Sequence, residues 1–165
     1  GLPPVVAGLG VYLLLSRAGI LGPLNLPFVP ELFTVPAMIL AQVIIAAPLV
    51  AGYTMSAVSE VAPDLRLQVR SLGATPLQVT MAVMREARLG LIVALVGGLG
   101  SIISEVGAVM MVGGNIDGQT RVLTTAIMLE TRRGNFSLAI GLGMVLLLLS
   151  FIINYGVTQL QGKGN

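Results

Sequence analysis

The sequence predicts an all-α, polytopic helical membrane protein, and three observations carry that reading. First, of 165 residues 55% are hydrophobic and only 10% charged, with a mean hydropathy of +0.95. An ordinary soluble domain carries about 25% charged residues, so this chain cannot cover a water-facing surface. Second, the charges cluster in connecting segments and leave long apolar stretches free of them. Third, Phe33, Tyr53, Phe136 and Tyr155 fall at the borders of those stretches, where amphipathic rings favour the membrane interface.

Four spans follow in order. Residues 1–16 are uncharged but short of the roughly 20 residues that a bilayer requires. The chain opens on Gly1, already apolar, and is read as the C-terminal, N-terminally truncated part of a longer protein. After a turn-rich connector with Gly19, Gly22, Pro23, Asn25, Pro27 and Pro30, residues 33–55 form the second span. Pro36 and Pro48 lie inside it, which membrane helices tolerate. Residues 90–112 form the third span, with Glu105 as its one charge, and residues 136–155 the fourth.

Between the second and third spans, residues 59–89 form a hydrophilic loop holding four of the eight arginines. Two short helices are legible there. Pro63 suits a first helical position, and the run through Leu65, Leu67, Val69 and Leu72 stops at Gly73, a natural C′ residue. Thr75-Pro76-Leu77-Gln78 then supplies an N-cap, a first-turn proline and a capping-box Gln. Leu77, Met81 and Met84 follow at helical spacing as an apolar stripe. The second polar region, Gly113 to Asn135, contains the turn pair Asp117-Gly118 and a predicted helix over Gln119 to Thr131.

Composition excludes several functions. With no His and no Cys, zinc sites, disulfides, thiol catalysis and His-based acid–base chemistry have no residues to use. The only lysine, Lys163, has no phosphate-loop context. A net charge of +2, with no basic cluster among aromatics, gives nucleic acid nothing to bind. Orientation stays open on charge alone. One side carries five basic residues and the other four, too close for the positive-inside rule to decide.

Val69-Arg70-Ser71-Leu72-Gly73-Ala74-Thr75, followed by Met84-Arg85-Glu86-Ala87-Arg88, resembles the EAA loop of binding-protein-dependent ABC importer permeases. Ser104-Glu105-Val106-Gly107-Ala108 through Gly113-Gly114-Asn115-Ile116 resembles the oxyanion branch of that family. Thr124-Thr125-Ala126-Ile127, Leu129-Glu130-Thr131 and Gly134-Asn135-Phe136 are most similar to its tungstate-type permeases. The EAA triplet itself would fall at Leu67-Gln68-Val69, and Arg85-Glu86 replaces the usual closing Leu-Pro.

The resemblance implies a type I, molybdate-permease-like transmembrane domain that works as a homodimer. It implies a separate ABC ATPase, which holds ATP-Mg, gripping the 59–89 loop on the cytoplasmic side. An extracytoplasmic oxyanion-binding protein would dock on the opposite face. The chain would then be no enzyme and hold no cofactor or metal of its own, surrounded by lipid in a bacterial or archaeal cytoplasmic membrane. The cargo would be tungstate or molybdate, moved by alternating access. Gly73, Ala74, Thr75, Leu77, Met81 and Met84 become ATPase-coupling candidates. Glu105, Gly107, Asn115, Thr120, Arg121, Thr124 and Thr125 become pore or gate candidates.

On the residues alone, each candidate keeps a second reading. The Leu77–Met81–Met84 stripe either docks into a partner's groove or packs on the chain's own bundle. Glu105 either supports a gate or is a hydrogen-bonded structural carboxylate, since an ionisable mid-span group must face protein or water. It lies on a small-residue ridge with Gly97 and Ser101, and Gly100, Ser104 and Ala108 make a second. Thr120, Arg121, Thr124 and Thr125 could offer hydroxyls and a planar cationic fork to an anion, aided by a helix N-terminus near Gln119. Alternatively, Arg121 meets lipid headgroups or a docked protein. Arg132 and Arg133 read as helix C-terminal charges. The rivals from other classes are an ion-gradient-driven secondary transporter or channel and a non-transporting scaffold. A lone Glu105 argues against a proton relay.

Overall fold

The structure, a computed structural model, describes residues 3–24 and 26–162. Gly1, Leu2, Asn25 and Lys163 lie outside those residues. Among the described residues the regular structure is all helical, without strands. Its helices are α1 (Pro4–Leu15), α2 (Val35–Ser59), α3 (Pro63–Ser71), α4 (Pro76–Glu86), α5 (Arg88–Ile103), α6 (Gly107–Gly113), α7 (Leu123–Arg132) and α8 (Phe136–Gly162).

Two of these, α2 and the Phe136–Gly156 part of α8, are long and apolar enough to cross a membrane. Helix α2 starts where Thr34 accepts a hydrogen bond from the Ala37 N–H at 3.5 Å. Pro36 occupies its first turn, where no intrahelical donor is lost, and Pro48 sits inside. Helix α1 has 12 residues, about 18 Å at 1.5 Å per residue, against a hydrocarbon core of about 30 Å.

The segment 90–112, expected as one helix, is two. Helix α5 ends at Ile103 and α6 begins at Gly107, with Ser104 to Val106 as the break. Helix α5 itself leaves α4 at a 67° bend around the buried Ala87. The cause of the break lies in Glu105, whose carboxylate accepts a hydrogen bond from the Ala108 N–H at 3.0 Å. It thereby serves an orphan donor at the start of a new helix.

Packing follows small residues. Gly90, Ala94 and Gly98 line the side of α5 laid along α2, opposite Ala57, Val50 and Ala46. Ala94 is fully buried. Of the two expected ridges, Gly97 lies close to the Tyr53 ring and Ala108 is packed on Gly8, whereas Gly100 has open space beside it and Ser104 is exposed. Small residues let backbones approach where lipid offers no hydrophobic driving force. Helix α6 inserts between α1 and α2. Ala108 joins Ala7 and Ile45 there, and Val112 joins Val11, Leu15, Ala37 and Ala41. A Cβ on Gly8 would stand 2.6 Å from the Ala108 Cα, so only glycine fits. At the far end the Phe33 N–H donates to the Val112 carbonyl at 2.8 Å.

Candidate functional site

Two regions bring the candidate residues together. The first is the helical hairpin α3–α4. Helix α3 ends in a left-handed turn at Gly73, φ +81°. The Gly73 N–H donates to the Arg70 carbonyl at 2.9 Å and the Ala74 N–H to the Val69 carbonyl at 3.3 Å. That bond pair is a Schellman cap. Thr75 then starts α4 with a reciprocal capping box. The Gln78 side chain accepts from the Thr75 N–H at 2.8 Å, and the Thr75 hydroxyl accepts from the Gln78 N–H at 3.4 Å.

These local rules set the rotation of α4. Val79 and Val83 are buried, Val83 against Val61 and Ala87, with Leu65 and Leu91 alongside. The other face carries Leu77, Met81 and Met84, which are 72%, 61% and 41% exposed. Leu77 and Met81 are thus left mostly uncovered by the chain's own described helices, and Met84 partly so. Sequence periodicity singled out one apolar stripe of α4; the valine stripe that anchors the helix went unread.

The second region is a cavity of about 720 Å³ between α2, α5, α7, α8 and the loop before α7. Its apolar wall comes from Ile102 and Ile103 of α5 and from Leu146, Leu149 and Ile153 of α8. Gln42, Glu105, Asp117, Arg121 and Thr124 supply its polar groups. Gln42 lies seven residues past Val35 in α2, about 10 Å along the helix. The cavity thus lies alongside the two long apolar helices, away from their ends.

The pore candidates divide within it. Glu105, Arg121 and Thr124 line the cavity. Arg121 forms an ion pair with Asp117, Nη1 to Oδ1 at 2.8 Å, the two side chains being 27% and 84% exposed. The Arg121 Nε is buried without a protein partner. The Thr124 hydroxyl lies 3.4 Å from the Glu105 carbonyl, to which it donates. Gly107 stands beside the Glu105 carboxylate, where a Cβ would come within 3.4 Å of Oε1.

Thr120 and Thr125 do not offer their hydroxyls to the cavity. Thr120 donates to the Gly113 carbonyl and accepts from the Ile116 N–H at 2.9 Å. Thr125 donates to the Val122 carbonyl and accepts from the Val122 N–H, each at 3.0 Å. Both are buried clamps of the loop and of the first turn of α7. Helix α7 accordingly starts at Leu123, not near Gln119, so the expected dipole at Gln119 is absent. Asn115 is a left-handed turn residue, φ +54°, with its Oδ1 buried and unpartnered.

Asp117 is the lining residue that sequence reasoning placed only in a turn; its spacing of four from Arg121 was the available signal. Arg133 pairs with the buried Glu130 at 2.9 Å, and the Asn135 amide donates to the same carboxylate at 3.1 Å. Together they lock the α7–α8 turn. Among the described residues no three His, Cys, Asp or Glu side chains group to hold a metal ion.

No protein-family model matches the chain. Individual relatives do. It is 46% identical over 159 residues to a probable anion ABC transporter permease protein of Haloferax volcanii, covering 93% of this chain and 66% of that one. It is 43% identical over 159 residues to the tungstate uptake system permease protein TupB of Peptoclostridium acidaminophilum, covering 96% and 68%. The TupB of Campylobacter jejuni is 39% identical, covering 96% and 64%. The chain spans about two thirds of the length of these relatives. On that identity and coverage, and with an all-helical fold whose long helices suit a bilayer, the chain belongs to the ABC transporter permeases.

Proposed function

We propose that the chain is the transmembrane subunit of an ATP-driven importer that passes a tetrahedral oxyanion, tungstate or its near twin molybdate, through the cytoplasmic membrane. The observation that carries this is the exposed Leu77–Met81–Met84 face on a helix whose opposite face is anchored. Such a face suits a groove in a partner, and methionines adapt to irregular grooves. The partner is a separate ATPase that holds ATP-Mg and performs the hydrolysis. This chain holds no cofactor.

In this reading α3 and α4 lie on the cytoplasmic side. The segments 1–16, 33–55, 90–112 and 136–155 are the membrane-embedded parts, the third of them broken at Glu105. The α7–α8 turn faces outward, toward an extracytoplasmic oxyanion-binding protein. Two copies of the permease enclose the path and open it alternately to each side. The anion as cargo rests on the similarity to the tungstate and anion permeases.

The test is tungstate uptake into proteoliposomes holding the complete permease and its ATPase, with loaded binding protein outside. Uptake that requires ATP hydrolysis supports the reading. Uptake that persists with a hydrolysis-dead ATPase would instead support gradient-driven transport.

A further inference from the structure

We propose that Arg121 is the anion-accepting group of the 720 Å³ cavity and that Asp117 is its resident counter-ion, displaced when a tetrahedral oxyanion enters. The inference deepens the importer reading and rests on it. A cationic side chain beside apolar helices needs a counter-charge. In the structure one guanidinium nitrogen spends its donor on Asp117, while the buried Nε has no protein partner. A guanidinium is a planar fork of five donors that can offer two to one oxyanion. Asp117 accepts only at Nη1.

The pair is unequal in a useful way. Asp117 is 84% exposed, so its carboxylate can swing into water at little cost, whereas Arg121 is held against the cavity wall. Glu105 also lines the cavity but its Oε1 is engaged by the Ala108 N–H, so it adds negative potential while bonded elsewhere. With Glu105, Asp117 and Arg121 together, the lining carries one net negative charge. An anion there is gripped by geometry and opposed by the field, which suits brief occupancy on a path where each site must also release its ion. By occupying Arg121, Asp117 lowers the affinity of every anion there, and once displaced its charge opposes a dianion more than a monoanion.

The experiment uses the complete permease with its ATPase, with labelled tungstate as dianion and perrhenate as a tetrahedral monoanion. Asp117→Asn should tighten tungstate binding to the solubilised transporter by about two- to fivefold, the worth of one exposed ion pair. It should tighten tungstate at least as much as perrhenate, because the removed carboxylate charge acts on both charges of the dianion. Arg121→Gln should lose at least tenfold in binding, with Arg121→Lys in between. Because Asp117 is exposed, Asp117→Asn keeps the test decisive even if Arg121→Gln fails to assemble. Unchanged or weakened tungstate affinity in Asp117→Asn, in a preparation whose wild type moves tungstate on ATP, would overturn this inference and leave the importer reading standing. A wild type that moves no oxyanion would overturn the importer reading itself.

Discussion

The two faces of α4 make a paired experiment. Met81 is 61% exposed and Val83, two residues on, is 5% exposed. Met81→Ala removes atoms that touch little within the chain. The fold should change by no more than about 0.5 kcal/mol, the range for exposed positions. If a partner covers that side chain, the loss appears in docking instead. Burying a whole Met or Leu side chain contributes about 1.5–3 kcal/mol, and roughly three fifths of it remains to be covered. The expected weakening is therefore about 1–2 kcal/mol, or roughly five- to thirtyfold in Kd. Val83→Ala should do the reverse. It deletes two buried methyl groups at about 0.8 kcal/mol each and leaves a small cavity, for about 2 kcal/mol of stability. With no Trp in the chain, thermal unfolding followed by far-UV circular dichroism reads stability, and titration of nanodisc-held permease with its ATPase reads docking. If Met81→Ala lowered the melting temperature as Val83→Ala does and left the ATPase affinity untouched, the stripe would be an internal packing surface and the reasoning would fail.

Other substitutions test the local geometry. Gly73 has φ +81° with open space around it, so Gly73→Ala should cost only the left-handed backbone penalty, about 1–2 kcal/mol, and Gly73→Asn less. Gly73→Asp, placed at the docking turn, should leave the protein in the membrane while uncoupling ATP hydrolysis from uptake; normal uptake would remove the turn from the docking scheme. Glu105→Ala should strip the cap from α6 at about 1 kcal/mol and speed hydrogen exchange at the Ala108 amide, while Glu105→Gln, which keeps an acceptor, should retain most of the protection. Glu130→Ala leaves Arg133 and Asn135 without their shared acceptor. It should destabilise the α7–α8 turn by about 1–3 kcal/mol, measured as earlier proteolysis near Gly134.

What the sequence reveals here is what short-range physics sets. The charge-free runs mark α2 and α8 within a few residues. Thr75 and Gln78 announce the capping box that the structure contains, and Gly73 the left-handed turn. The break at Ser104 to Val106 was not legible, because one charged residue, Glu105, does not by itself end an otherwise apolar stretch. Its cause is one hydrogen bond from the Ala108 N–H to Glu105, in space that Gly107 leaves open. The start of α7 was misplaced for a similar reason: Thr120 and Thr125 spend their hydroxyls on the loop backbone, which propensity does not register. Asp117 looked like half of a turn dipeptide, and only the fold puts its partner, Arg121, on a cavity wall. Exposure of the Leu77 stripe, too, depends on which face Val79 and Val83 bury, a tertiary fact.

The central claim is that α4 presents its methionine face to a cytoplasmic ATPase, and one labelling experiment addresses it directly. Because the chain lacks cysteine, a single Met81→Cys variant of the complete permease gives one thiol in this region to follow. A membrane-impermeant maleimide should label it in inside-out vesicles, fail to label it in intact cells, and be blocked when the ATPase is bound. Labelling of the same thiol from outside intact cells would contradict the account.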